Sequence, residues 1–117
     1  SLHDALPISK VKEYTTGKKS VLVVLDSNHT HEHVLAELEM YSPFVSIGSY
    51  IVAFDTIVEN LPDNYLPGHV RPWGIGDNPM TAVKAFIKEY PQFEIDTAIN
   101  NKLLISVAPD GYLKRMS

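Results

Sequence analysis

Two apolar runs, Val21–Asp26 (VLVVLD) and Tyr50–Asp55 (YIVAFD), each end on an aspartate, and a helix-patterned segment separates them. The runs are β-branched and apolar at consecutive positions, so each reads as a strand covered on both faces, central in a parallel sheet rather than alternating on a surface. Between them, Val34, Leu38, Tyr41 and Val45 recur at helical spacing with Leu35 beside them. Thr30 is placed to cap that helix, Glu32 falls in its first turn where the dipole favours an acid, and Pro43 ends it. Strand, helix and apolar strand make a βαβ unit with a right-handed crossover.

A second helix is expected over NPMTAVKAFIKEYP. Asn78 would cap it, Pro79 suits its first position, and Pro91 stops it, with Val83, Phe86, Ile87 and Tyr90 as the buried stripe. The tail FEIDTAINNKLLISVAPDGYLKR offers two short strands about Asn100 and Asn101 and a Pro-Asp-Gly turn, which would put an antiparallel hairpin at the sheet edge. Between the βαβ unit and the second helix, Ile57 to Asp77 shows no period. It holds Pro62, Pro67, Pro72, three glycines and two aromatics, Tyr65 and Trp73. A stretch this long inside a compact domain is usually functional or disordered, and the aromatics speak for function. Trp73 is its expected anchor and Arg71 its polar contact to an acceptor or a second subunit. GIGD within it follows no strand and reads as loop punctuation.

The chain of 117 residues makes one domain or part of one. A net charge of −4 gives no reason to expect nucleic acid or an anionic membrane as partner. No apolar run approaches the roughly 20 residues of a membrane span. With no cysteine, disulfides and thiolate metal sites are excluded, which fits a cytoplasmic protein. The opening SLHDALPIS has no signal-peptide pattern. Residues 1–9 read either as a lead-in foreign to the gene or as a native segment cut from its upstream partner, and 10–117 as the structured part.

In open α/β sheets, ligands bind beyond the carboxyl ends of the strands, so Asp26 and Asp55 are expected to face one crevice. Two carboxylates held close repel unless they share a cation, and a hard ion such as Mg²⁺ suits such a pair. The alternative is that each Asp caps the turn after it. His29, His31 and His33 crowd the same segment. His29 and His33, four apart, would share a helix face with His31 turned away. HTHEH lacks the HExxH arrangement of zinc proteases, so the choices are solvated histidines of a first turn or a general base, His29 being nearest Asp26.

The segment LDSNHTHEHVLAELEMYSPFVSIGSYIVAFDT resembles the cephalosporin hydroxylase and rhamnosyl O-methyltransferase family of S-adenosylmethionine-dependent enzymes. The shared pattern is LDS, His-Ser/Thr, HVL-x-EL-x-x-Y, G-S/T-Y, then a strand ending Asp-Thr. FEID and KLLISVAPDGYLKR extend the likeness, so it covers about Val21 to Arg115. The resemblance implies the C-terminal part of a Rossmann-like methyltransferase fold: α/β, a mostly parallel sheet with an antiparallel last strand, and flanking helices. It implies transfer of a methyl group from S-adenosylmethionine to a hydroxyl of a small-molecule acceptor (a sugar, an antibiotic or another secondary metabolite). It further implies Mg²⁺ held by Asp26 and Asp55 and, beside them, a base such as His29. The glycine-rich loop and the acidic residue that hold the cofactor in such enzymes have no counterpart here, so this stretch alone is expected to bind it weakly or not at all. Phe54 stands where some members carry an acid, and Asn28 where many carry Asp. Phe54 is the feature favouring a non-catalytic relative or interaction module, while a hydrolase built on the histidines lacks a third ligand. A homo-oligomer stays open.

Overall fold

The computed structural model describes residues 6–62 and 71–117. The lead-in residues 1–5, and Tyr65, Pro67 and Gly68 of the long loop, lie outside them. Along the chain run α1 (Ile8–Thr15), β1 (Val23–Leu25), α2 (His31–Tyr41), β2 (Tyr50–Ala53), α3 (Pro79–Glu89), β3 (Phe93–Ile95), α4 (Thr97–Leu103) and β4 (Tyr112–Arg115), with single 3₁₀ turns at Ser42–Phe44 and Thr56–Asn60.

The four strands form one sheet in the order β1-β2-β4-β3. β1 and β2 pair in parallel, whereas β4 lies antiparallel to both β2 and β3. Three strands therefore share a direction and the last is inserted against them. The expectation of a mostly parallel sheet is corrected to a mixed one: only one of the pairings is parallel, because the chain returns to place β4 between β2 and β3. The register lines up Val23, Ile51, Leu113 and Ile95 across the sheet. With a side-chain period of two, this whole row faces one side. Val34, Leu38 and Tyr41 of α2 and Ala82, Val83 and Phe86 of α3 close over it in a single core. Phe86 stacks on Tyr90 at 4.5 Å and tilts against Phe93 at 5.5 Å, joining α3 to the strand that follows it.

Both central helices begin where their caps dictate. The Thr30 side chain accepts from His33 N, and Asn78 accepts from Met80 and Thr81 in a capping box with Pro79 at the first position. α2 gives way to its 3₁₀ turn at Pro43, as expected.

Two expectations fail. β1 is an edge strand among the described residues, not a central one, and its outward Val24 is 47% exposed. Its apolar outer face is matched by no partner strand in this span. Around Asn100 and Asn101 the chain is helical, because Asp96 caps α4 by accepting from Ala98 N at 3.1 Å. The antiparallel edge pair exists, but as β3 and β4. α1 buries Val11, and the Tyr41 hydroxyl donates to Leu6 O at 2.6 Å.

Gly111, in the Pro-Asp-Gly turn, lies so close to the Ala53 carbonyl that any Cβ there would collide with it. The turn thereby packs onto the end of β2, and Ala53 N donates to Gly111 O at 2.9 Å. No helix of the described residues is long and apolar enough to cross a membrane.

Candidate functional site

The two parallel strands set the spacing of the site. Phe54 N donates to Leu25 O at 3.1 Å, so the two strand ends stay side by side to the last residue. Asp26 leaves β1 into a turn, and Asp55 leaves β2 with φ 60° and ψ 25°. That left-handed conformation is one Asp tolerates better than most residues. Thr56, fully buried, fixes the next step by donating its hydroxyl to Pro109 O at 2.6 Å.

The turn after Asp26 is closed by Asn28, whose Oδ1 accepts from both the backbone and the hydroxyl of Thr30 at 2.8 Å. His29 sits between them and faces Asp55, with Nε2 2.7 Å from Oδ2. One ligand atom each from Asp26, His29 and Asp55 fall within 4.8 Å of one another. The residues singled out in the sequence thus meet at one place, beyond the carboxyl ends of β1 and β2. Among the described residues neither aspartate makes a capping hydrogen bond. Thr30 caps α2, and Asp55 precedes its 3₁₀ turn without a side-chain cap bond.

Trp73 of the long loop reaches this cluster. Its ring centroid lies 4.7 Å from that of His29 at 52°, and the Arg71 guanidinium is 5.8 Å from the same indole. The loop is not structureless at either end. Thr56–Asn60 forms a 3₁₀ turn, and Gly74 and Asp77 exchange both backbone hydrogen bonds. Glu59 accepts from Gly76 N at 2.8 Å and from the Asn78 amide at 3.2 Å, while Asp77 accepts from His31 N at 2.7 Å. These bonds hold the Trp73 end of the loop against the starts of α2 and α3.

The histidines separate into three roles. His29 precedes the cap residue, so it shares no helix face with His33, which corrects the expected pairing. His31 bonds the Thr81 hydroxyl through Nδ1 at 2.8 Å, and His33 is buried. His33 Nε2 lies 3.2 Å from Glu37 Oε1, and the Ser27 hydroxyl is 3.1 Å from both Glu37 oxygens. Burial pushes the Glu37 carboxyl above its usual range, against the Ser27 hydrogen bond and the nearby His33, which act to lower it. Glu37 was not singled out in the sequence, although its position four residues after His33, inside an otherwise apolar helix face, was a usable signal.

A mixed α/β sheet thus carries an acid–imidazole cluster at the ends of its parallel strands. The model of the rhamnosyl O-methyltransferase/CmcI family matches residues 1–116, and the chain belongs to that family. It is 34% identical over 109 residues to the rhamnosyl O-methyltransferase of Mycobacterium tuberculosis H37Rv, covering 92% of this chain and 40% of that protein. Its identity to the Mycobacterium leprae protein of the same name is 31% over 109 residues, covering 92% and 43% respectively. The chain therefore spans well under half the length of these curated relatives. No solved structure matches it.

Proposed function

We propose that the chain is the C-terminal part of an S-adenosylmethionine-dependent O-methyltransferase whose acceptor is a hydroxyl of a sugar, antibiotic or other secondary metabolite. Family membership supports methyl transfer, and the strand order with a reversed last strand supports a Rossmann-like frame. The observation that carries the reading is the convergence of Asp26, His29 and Asp55.

Two carboxylates in reach of one point fit a hard divalent ion that keeps most of its waters, so Asp26 and Asp55 are the residues that would hold Mg²⁺. When bound, the ion supplies positive charge that lowers the pKa of an acceptor hydroxyl. The described residues do not fit S-adenosylmethionine: they include no glycine-rich turn after a strand. No step through the cofactor is assigned to them.

His29 is the base. Nε2 faces the Asp55 carboxylate, so Nε2 carries the ring proton and Nδ1 holds the lone pair. Nδ1 takes the acceptor's proton, and Asp55 stabilises the imidazolium that results, as the orienting acid does in catalytic triads. Trp73 packs on the imidazole and shields it from water.

Release of S-adenosylhomocysteine by the full-length protein, given a panel of hydroxylated acceptors, tests this. Chelator-sensitive release supports the assisted reaction. No release with any acceptor overturns it in favour of a non-catalytic relative, the reading that Phe54 in place of an acid favours.

A further inference from the structure

The hydrogen bonds of the Asp26–Thr30 turn run through Ser27, Asn28 and Thr30 rather than through Asp26. Asp26 is exposed at the end of an edge strand, so its own surroundings do little to aim it. Ser27, the next residue, is tied instead to the interior of α2. Its hydroxyl reaches both oxygens of Glu37 at 3.1 Å, and Glu37 is in turn 3.2 Å from His33 Nε2. His33 and Glu37 are each only 4% exposed. A buried carboxylate costs several kcal/mol unless it is well bonded, so one bound chiefly to a serine hydroxyl and an imidazole needs a reason to be there.

The protons can be assigned. His33 Nδ1 is buried with no partner. A protonated Nδ1 would leave an orphaned N–H in the core, whereas a bare lone pair there is the cheaper vacancy. The His33 proton that matters is therefore the one on Nε2, aimed at Glu37. The carboxylate accepts one bond from Ser27 and one from His33, which are ten and four positions before it in sequence, Ser27 in the turn after β1 and His33 in α2.

We infer that the Ser27–Glu37–His33 network, anchored in the buried Glu37–His33 pair, is a positioning device that locks the residue after Asp26 to helix α2 and so aims the Asp26 carboxylate at the point shared with His29 and Asp55. Glu37, Ser27 and Asp26 line one groove of about 430 Å³ along β1. Such outer partners of metal ligands typically control affinity by about 10–100-fold. The inference rests on the reading of Asp26 and Asp55 as the cation site.

The test is direct Mn²⁺ binding, followed by electron paramagnetic resonance, to the full-length protein and to Ser27→Ala, Ser27→Thr, Glu37→Gln and the Ser27→Ala/Glu37→Gln double variant. Ser27→Ala and Glu37→Gln are expected to weaken binding about tenfold or more. The double variant should be no weaker than the worse single one, because both cut the same link. Ser27→Thr keeps the hydroxyl and should bind near the wild-type level. Ser27 is exposed, so its variants fold even where Glu37→Gln does not. Wild-type binding that Ser27→Ala leaves unchanged overturns the positioning role alone. Additive losses from the two single changes overturn it as well, since they indicate unconnected structural damage. No Mn²⁺ binding by the wild type overturns the cation site itself and the inference with it.

Discussion

His29 and Asp55 meet at 2.7 Å although one follows β1 and the other β2. The contact exists because parallel pairing of Val24 with Val52 and Leu25 with Ala53 brings the two strand ends level. The left-handed turn at Asp55 then swings its carboxylate toward the imidazole.

The first prediction follows from that pair. His29→Gln should cut turnover by about 10²–10⁴-fold, the usual worth of a positioned base. Divalent-ion binding should survive, because both carboxylates remain. Turnover within threefold of wild type at neutral pH would remove His29 from the reaction.

Trp73 gives the second. Its indole is half-buried against His29 and outside the main core, so Trp73→Ala should leave the fold standing while weakening use of the acceptor. An aromatic contact of this kind is worth about 0.5–1.5 kcal/mol, so the Michaelis constant for acceptor should rise several-fold. A collapse of the melting transition instead would make Trp73 a structural residue and not the anchor of an acceptor contact.

A third prediction concerns pH. The Tyr50 hydroxyl donates to Asp96 Oδ2 at 2.6 Å. That bond holds the Asp96 carboxyl below its usual 3.8, and it raises the Tyr50 phenol above its usual 10.0. A lowered acid contributes stability above 3.8 that is lost as pH falls through the lower folded value. A raised phenol contributes stability below 10.0 that is lost as pH rises through the higher one. Both contributions are present at neutrality. Tyr50→Phe should therefore melt lower than wild type near pH 7, with the gap closing in strong acid and strong base. A gap that stays constant across the range would mean the loss is packing and not the hydrogen bond.

What could be read in the sequence divides along physical lines. The helices α2 and α3 were legible because their caps and their apolar period agree, and the buried residues follow that period. Asp26, Asp55 and His29 were legible because strand ends announce themselves when an apolar run stops on a charge. The edge position of β1 was not, since an apolar run looks the same whether its second face is covered by this chain or by something else. α4 was missed because TAINNKL is weak in either pattern and the deciding feature is the Asp96 cap. Glu37 was missed because its partner Ser27 becomes a neighbour only when β1 docks on α2, and the spacing to His33 on the same helix was the one signal the sequence carried.

The fourth prediction comes from that edge. Leu22 and Val24 are 56% and 47% exposed beside a strand edge that is unpaired among the described residues, an arrangement that invites pairing between copies. The isolated 117-residue chain should be marginally stable and prone to self-association, and Val24→Lys should suppress the association without unfolding it. A monomer with a sharp cooperative transition above about 65 °C, high for a mesophile domain, would count against this.

The last prediction separates a cation site from a chance meeting of acids. Asp26→Asn leaves the helix start untouched, because Thr30 and not Asp26 caps α2. Any loss it causes must therefore arise at the cluster. If Asp26 and Asp55 share an ion, the change should abolish the response of methyl transfer to Mg²⁺ and lower turnover by orders of magnitude. Stability without metal should hold level or rise, since one member of a repelling pair has been neutralised. The measurement is methyl transfer and thermal melting by the full-length protein, wild type and variant, each with Mg²⁺ and with chelator. Chelator-insensitive turnover by the wild type would sink the cation site. The His29–Asp55 pair would then stand as an acid–imidazole dyad working alone, with Phe54 filling the place where a further metal ligand would be needed.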